Sequence, residues 1–259
     1  MVEIGLLQGL LFDLDGVFHV GNSKVAGSED VIAYLNSKHL PYRYVTNTTI
    51  QSRVALAANM QALGLPIQAD EIITTPYAAR LYLRQHNYQS CYLLLADEVI
   101  SEFAEFDADD IAPQAVVIGD IGSLWNYDLL NKVFRLLMDG AHLLALHKNK
   151  FWQTETGLRM DIGAFVAGLE YASGQTATVI GKPSPAFFAL ALQSLGLEAD
   201  QVGMVGDDID CDIGGAQQCG LRGILVRTGK FRADYAAAST IRPDVVIDSV
   251  ADLTRYFER

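Results

Sequence analysis

The sequence predicts an α/β fold with a parallel sheet, and three patterns support this prediction. Short apolar runs alternate with longer helical patterns along the chain, which is typical of strand–helix–strand units. Polar residues come directly after several of the apolar runs, at the strand ends where such sheets bind ligands. The middle of the chain has its own strand–helix series, which indicates a second α/β domain inserted into the first.

The elements of the first domain are expected near both ends of the chain. Its strands are predicted at 10–12, 42–45, 202–205, 224–226 and 245–247. Its helices are predicted at about 28–39, 50–63, 185–195, 211–219 and 250–258. The helix at 185 has the clearest start, with Ser184 as N-cap and Pro185 in the first turn. Asp13, Thr46 and Asp207 each follow a predicted strand, so we expect all three at one rim of one sheet.

The inserted domain is predicted over about 78–178, which leaves 1–77 and 179–259 for the first domain. Its strands are expected at 92–95, 115–118 and 143–146, and its helices at 126–138 and 161–173. The alternative is one continuous large sheet to which the middle strands are added.

Composition excludes several classes of partner. The chain has 259 residues, of which half are hydrophobic, and a formal charge of -12. This acidic balance argues against binding to nucleic acid or to an anionic membrane surface. The three cysteines show no C-x-x-C spacing and fit a reducing compartment. The start of the chain lacks a basic signal-peptide pattern, and no apolar run approaches the ~20 residues of a membrane span. We therefore expect a soluble cytoplasmic protein.

Two acidic motifs follow buried-strand patterns. In Asp13-Leu14-Asp15-Gly16, two carboxylates can share a metal, with one as nucleophile and the other exchanging protons. Alone, this motif fits a solvated acidic turn better. The segment 207–212 holds four acids in six residues, and such hard oxygen ligands suit Mg²⁺. The alternative is an acidic helix start favoured by the helix dipole.

Two further motifs carry groups that can hold a phosphate. Thr46 and Asn47 come at a strand end before a helix, where hydroxyl and N–H groups suit phosphate oxygens. Ordinary capping of the helix near 50 is the alternative. Lys182 stands between a glycine and a proline, which restrict its backbone, and can neutralise a phosphate together with a charged nucleophile. A lone lysine in such a turn is more often a surface residue.

The order of the four motifs resembles the haloacid-dehalogenase-like (HAD) phosphatases, and an insertion between the threonine and the lysine resembles subfamily IIA. The resemblance covers essentially the whole chain and implies a Rossmann-like core with an α/β cap domain, Mg²⁺ as cofactor and an aspartyl-phosphate intermediate. It implies these roles: Asp13 as nucleophile, Asp15 as general acid/base, Thr46, Asn47 and Lys182 as phosphate-binding residues, Asp13, the Asp15 carbonyl and Asp207 as Mg²⁺ ligands, and Asp208 and Asp212 as outer supports.

Several expectations concern the cap and the partners. The loop 146–152 either selects the leaving group, with His147 and Lys148 as candidates, or is a basic surface turn. His19 and Cys211 are interpreted as structural. We expect a small phosphorylated substrate and a homodimer, because closed symmetric pairs are the commonest assembly. A phosphotransferase or mutase with the same aspartyl-phosphate, and a non-catalytic binding protein on the same fold, are the alternative functions.

Overall fold

The computed structural model describes residues 4–154 and 157–257 and divides the chain into two compact units. The first unit contains the chain up to Thr46, then Arg53–Ile73, and then the chain from Lys182 onward. The second unit contains Asn47–Ser52 and Thr74–Gly181. Within the described residues, no helix is long and apolar enough to cross a membrane.

The described residues form fifteen strands. In chain order they are β1 Gly9–Phe12, β2 His19–Val20, β3 Ser23–Lys24, β4 Tyr42–Thr46, β5 Ile72–Thr74, β6 Ser90–Leu94, β7 Asp107–Ala108, β8 Ala115–Ile118, β9 His142–Ala145, β10 Phe151–Thr154, β11 Gly157–Met160, β12 Thr178–Val179, β13 Val202–Gly206, β14 Arg222–Val226 and β15 Val245–Ile247.

The described residues also form nine α-helices. They are α1 Ser28–Ser37, α2 Arg53–Ala62, α3 Thr75–Gln85, α4 Asp97–Ile100, α5 Tyr127–Met138, α6 Gly163–Ser173, α7 Pro185–Leu195, α8 Gly215–Gln218 and α9 Ala233–Ala238. A π-helical turn over Ile209–Gly214 precedes α8, and a 3₁₀ helix covers Val250–Tyr256.

The first unit is organised around a six-stranded sheet in the order β15-β14-β13-β1-β4-β5. Strand β1 lies between β13 and β4 and is parallel to both. All four of its residues are buried, as expected of a central parallel strand that helices cover on both faces. Aromatic rings pack edge to face beside it, with the centroids of Phe12 and Phe18 5.3 Å apart.

The second unit has its own five-stranded sheet, in the order β12-β9-β8-β6-β7. Its central strand β8 is parallel to both neighbours and wholly buried. Helices α5 and α6 contribute Val133, Leu137 and Val166 to the core on this sheet. The middle strands therefore build a separate sheet, as expected of a cap domain, and do not extend the first one.

The predicted helices at 211–219 and 250–258 take a different form. At the first, the N–H groups of Asp212 and Ile213 both donate to the Asp208 carbonyl, which widens the turn into the π-helical form before α8 begins. At the second, the chain forms a 3₁₀ helix that opens with a capping box between Ser249 and Asp252. Local side-chain and backbone hydrogen bonds outweigh the helical periodicity at both positions.

Candidate active site

Neighbouring strands bring three polar residues to one rim of the first sheet. Asp13 follows β1, Thr46 ends β4 and Asp207 follows β13. Because β13, β1 and β4 are adjacent and parallel, their carboxyl ends lie side by side. The Asp13 N–H donates to the carbonyl of Val205 at 2.9 Å, so the first acidic residue stays bound to the neighbouring strand.

Lys182 joins two of these acidic segments through its ammonium group. Its Nζ lies 2.9 Å from Asp13 Oδ1 and 2.8 Å from Asp212 Oδ1. It also donates to the carbonyl of Val45 at 3.1 Å. Only 4% of Lys182 is exposed, and the two aspartates are equally buried. This is a buried salt bridge with one cation between two carboxylates.

The charges of this group depend on one another. Burial alone would lower the pKa of Lys182, but the carboxylates of Asp13 and Asp212 outweigh it and raise that pKa. Burial raises the pKa of Asp13, while the Lys182 ammonium opposes the shift. Burial likewise raises the pKa of Asp212 to about 6, again against Lys182. Lys182 is thus the group that favours the ionised forms of both acids.

Asp207 is held by the loop 227–230, to which the sequence assigned no role in the site. The backbone N–H of Lys230 donates to Asp207 Oδ2 at 2.6 Å. Gly16 and Gly229 both have positive φ and both lie against Asp207 Oδ2. A Cβ atom would stand 1.9 Å from this oxygen at Gly16 and 2.0 Å from it at Gly229. The Thr228 hydroxyl donates to the Gly16 carbonyl and joins the two loops. The signal in the sequence is the Thr-Gly-Lys run directly after a buried strand.

The residues present fit a divalent cation. Carboxylate oxygens of Asp13, Asp207 and Asp212 lie within 4.8 Å of one another. Asp207 Oδ1 is buried and has no hydrogen-bond partner among the described residues. Burial raises the pKa of Asp207 to about 6, against the lowering effect of the Lys230 N–H. A hard cation beside Oδ1 would satisfy this oxygen and favour the ionised carboxylate.

The glycine contacts predict that Gly229→Ala impairs the site. Its Cβ would stand 2.0 Å from Asp207 Oδ2 and 2.4 Å from the Gly16 Cα, so Asp207 must move. We expect a loss of about 10²-fold in turnover, the scale associated with a 1 Å misplacement of a reacting group. Phosphate release by the folded variant is the measurement.

Gly196→Ala is the matched control for this prediction. Gly196 has φ +67, close to the +61 of Gly229, but a Cβ there meets nothing within 4 Å. Both variants carry the backbone penalty of about 1–2 kcal/mol for a left-handed alanine, and only Gly229→Ala carries the clash. Equal activity of the two variants would contradict a role for Gly229 in holding Asp207.

Asp208 and Asp212, in the same segment, have well-defined partners. Asp208 Oδ1 accepts the N–H groups of Asp210 and Cys211 at 3.0 and 2.9 Å, and so caps the π-helical turn. Asp212 Oδ2 accepts the Asp208 N–H at 3.1 Å while its Oδ1 faces Lys182. The turn therefore positions Asp212, and through it Lys182. Burial raises the pKa of the Cys211 thiol to about 12, which fits its interpretation as a structural residue.

Asp15 and Thr46 differ in their surroundings. The Asp15 side chain is 63% exposed and its Oδ1 lies 3.4 Å from His19 Nε2, outside the buried group. Thr46 is buried at the end of β4. Helix α2 begins at Arg53, so Thr46 and Asn47 are too far from its start to cap it.

Three candidates lie in the second unit. Asn47 belongs to the second unit, where a Cβ on Gly181 would be 2.9 Å from its Oδ1. His147 is buried, accepts the Asn149 N–H at Nδ1 (3.3 Å), and has Nε2 3.8 Å from Asp161 Oδ1. Burial lowers the pKa of His147. Lys148 Nζ lies 2.5 Å from Glu170 Oε2. The side chains of 151 and 152, in the same predicted loop, lie outside the described residues.

Two protein-family models match the chain. One, described as haloacid dehalogenase-like hydrolase, matches residues 10–109, and the other, described as HAD-hydrolase-like, matches residues 179–253. Together they include both acidic motifs, the Thr46 motif and Lys182. The phospholysine phosphohistidine inorganic pyrophosphate phosphatase of Homo sapiens is 38% identical over 252 residues, which cover 95% of this chain and 92% of that protein.

Solved structures share the architecture. NagD from E. coli K-12 superposes with a TM-score of 0.86 at 27% identity, over 95% of this chain and 98% of NagD. A mutant of the thermostable p-nitrophenylphosphatase from Bacillus stearothermophilus gives a TM-score of 0.84 at 27% identity, with the same coverage of both chains. The whole chain, cap included, is therefore similar to these proteins.

Proposed function

Because this chain is a phosphatase of the haloacid dehalogenase-like hydrolase family, we propose that it hydrolyses a small phosphorylated substrate through a phosphoryl group carried on Asp13. The observation that carries the proposal is the buried group in which Lys182 lies between Asp13 and Asp212. A cation next to the nucleophile offsets its repulsion from an anionic phosphate, the main barrier to this attack.

The reaction proceeds in two steps. In the first, the Asp13 carboxylate attacks phosphorus and Asp15 gives its proton to the leaving-group oxygen or nitrogen. In the second, Asp15 takes a proton from water, which attacks phosphorus and releases inorganic phosphate and the Asp13 carboxylate. The Leu14 N–H and Lys182 Nζ, both 2.9 Å from Asp13 Oδ1, orient the nucleophile throughout.

Magnesium is the proposed cofactor. Asp13, the Asp15 backbone carbonyl and Asp207 would hold Mg²⁺, which neutralises charge on the phosphoryl oxygens when bound. Asp208 and Asp212 support these ligands from outside, since they shape the turn that follows Asp207. The buried Asp207 Oδ1, which has no hydrogen-bond partner among the described residues, is the specific feature that favours a cation at this site.

The names of the relatives support a broad substrate class. One relative is named for phospholysine, phosphohistidine and pyrophosphate, and another for p-nitrophenyl phosphate. We therefore assign a small phosphoester, phosphoamide or pyrophosphate to this chain. Thr46, Asn47 and Lys182 are the proposed phosphate-binding residues, and His147 and Lys148 the proposed selectors of the leaving group.

Purified protein should release inorganic phosphate from p-nitrophenyl phosphate when Mg²⁺ is present, and EDTA should abolish the activity. Asp207→Asn should lose both the activity and its response to Mg²⁺, because it removes an anionic ligand. Phosphate and nitrophenol should appear in equal amounts. Nitrophenol in excess over phosphate would show transfer to another acceptor and contradict hydrolysis.

Thermal melting separates metal binding from catalysis in the same experiment. At ten times its dissociation constant, Mg²⁺ adds about 1.4 kcal/mol of stability, or about 3–6 °C for a chain of this size. The shift should be larger at pH 7.5 than at pH 5, because burial raises the pKa values of Asp207 and Asp212 to about 6 and protons compete with the metal below that value. Asp207→Asn should show no shift at either pH.

A further inference from the structure

The loop that follows the nucleophile folds around His19. The Gly16 N–H donates to the His19 carbonyl at 2.7 Å, and the backbones of Asp15 and His19 form an isolated β-bridge. The Thr228 hydroxyl donates to the Gly16 carbonyl from outside the loop. These hydrogen bonds hold the backbone of residue 19 beside that of residue 15. The backbone of the loop therefore brings the two side chains into contact.

The His19 ring has a defined orientation, with one contact at each of its nitrogens. Its side chain is only 12% exposed, and Nδ1 lies 3.0 Å from the Gly21 carbonyl oxygen. A carbonyl oxygen only accepts hydrogen bonds, so Nδ1 carries a proton. The other nitrogen, Nε2, lies 3.4 Å from Asp15 Oδ1 and donates to it when the ring is protonated.

We propose that His19 is a positioning residue that holds Asp15 for proton transfer to the leaving group. The proposal rests on the acid/base role of Asp15 in the proposed function. The Asp15 side chain is 63% exposed, and in the described part of the chain His19 is its one hydrogen-bonding or charged partner. Without that partner an exposed aspartate samples several rotamers. The contact at Oδ1 keeps one rotamer and leaves Oδ2 for the leaving group.

The proton balance shows where this contact acts. In the first step the Asp15 proton moves to the leaving-group oxygen as its bond to phosphorus breaks and the Asp13–phosphorus bond forms. In the second step Asp15 regains a proton from the attacking water. His19 neither gains nor loses a proton over the cycle, because its Nδ1–H stays on the Gly21 carbonyl and its Nε2 contacts Asp15 Oδ1, while the transferred proton is carried on Asp15 Oδ2.

This role makes a prediction about leaving groups. An alkyl alkoxide is a poor leaving group that needs a proton, whereas nitrophenolate leaves without one. Loss of the His19 contact should therefore slow hydrolysis of an alkyl phosphate by at least about 10-fold, part of the 10²–10⁴ attributed to acid–base catalysis. Formation of the phosphorylated enzyme from p-nitrophenyl phosphate should change by less than about 3-fold in the same variant.

Two amide variants separate the two nitrogens of His19. In His19→Asn the amide reaches the place of Nδ1 and keeps the bond to Gly21, but it loses Asp15. In His19→Gln the amide reaches the place of Nε2 and keeps a donor for Asp15. We expect His19→Asn to show the selective loss with alkyl phosphate and His19→Gln to retain most of the wild-type rate. The ratio of alkyl to aryl rates of formation of the phosphorylated enzyme, measured by rapid quench, is independent of the fraction of folded protein, so poor folding does not obscure the result.

The outcome for Asp15→Asn identifies which proposal fails. If Asp15→Asn changes the alkyl-to-aryl ratio and His19→Asn does not, the positioning role is wrong and the acid/base role stands. If both His19 variants form the phosphorylated enzyme more slowly from alkyl and aryl phosphate to the same extent, His19 is merely structural. If Asp15→Asn leaves the ratio unchanged, the acid/base assignment itself is wrong. In the Asp15→Asn background, His19→Asn should have no further effect on the ratio.

Discussion

Asp13→Asn should reduce turnover by about 10⁴–10⁶-fold, the scale seen when an enzyme loses its nucleophile. The amide has the size of the carboxylate but no negative charge with which to attack phosphorus. Its oxygen can still accept from the Leu14 N–H and from Lys182, which now bond Asp13 Oδ1 at 2.9 Å. Because burial already disfavours the charge on Asp13, the neutral amide should leave the fold intact.

Phosphate release and a rapid-quench experiment with labelled p-nitrophenyl phosphate test this prediction. Wild-type protein should carry the label on Asp13 during turnover, and the variant should carry none. Asp234→Asn is a suitable control, since Asp234 is exposed and pairs with the exposed Arg232. Near-normal turnover by Asp13→Asn, or label at another residue, would favour direct attack by water and refute the covalent route.

Lys182→Met should produce the largest loss of stability, about 3–5 kcal/mol at pH 7.5. The substitution keeps an apolar chain of similar length but leaves Asp13 and Asp212 buried without their cation. Removing one partner of a buried ion pair has this effect because the remaining charge cannot be solvated. Urea unfolding measures the change in free energy of unfolding.

Two further variants and a second pH make the test specific. Lys24 pairs with Glu29 at 2.6 Å, but both side chains are 38% exposed, so Lys24→Met should lose only about 0–1 kcal/mol. Adding Asp212→Asn to Lys182→Met should restore part of the lost stability. Burial raises the pKa values of Asp13 and Asp212, so folding becomes less favourable as pH rises and these buried carboxyls must ionise. At pH 5 they are more protonated than at pH 7.5. The loss in free energy of unfolding caused by Lys182→Met should therefore be smaller at pH 5 than at pH 7.5. A deficit no larger than that of Lys24→Met would contradict the buried ion pair.

The sheet edge was predictable because it depends on local patterns. An apolar run that ends in a polar residue marks a strand end, and strand–helix alternation makes the strands parallel. These two rules predict that Asp13, Thr46 and Asp207 lie at one rim, and in the structure they follow or end adjacent parallel strands. The same alternation in the middle of the chain predicts a second α/β unit, and those strands form a sheet of their own.

The contacts of the acidic segment were not predictable from its composition. Four acids in six residues indicate a cation but not which oxygen faces which group. In the π-helical turn, the Asp208 carboxylate accepts a hydrogen bond from the backbone N–H of Asp210, and the Asp212 carboxylate faces Lys182. The Gly16 and Gly229 contacts with Asp207 depend on two loops that are more than 200 residues apart in the chain. Such long-range contacts leave no periodic signal in the sequence.

The sequence by itself thus determined the fold class, the strand ends and the residue types available for phosphoryl chemistry. These follow from hydrophobic periodicity and from the chemistry of single side chains, both of which are local. Only the tertiary structure decided the partners of these side chains. It shows that Lys182 lies between Asp13 and Asp212, and that Asp15 contacts His19. It also shows that the buried Asp207 Oδ1 has no hydrogen-bond partner among the described residues. Burial, charge pairing and close backbone approach depend on distances between segments, and the folded packing alone defines those distances.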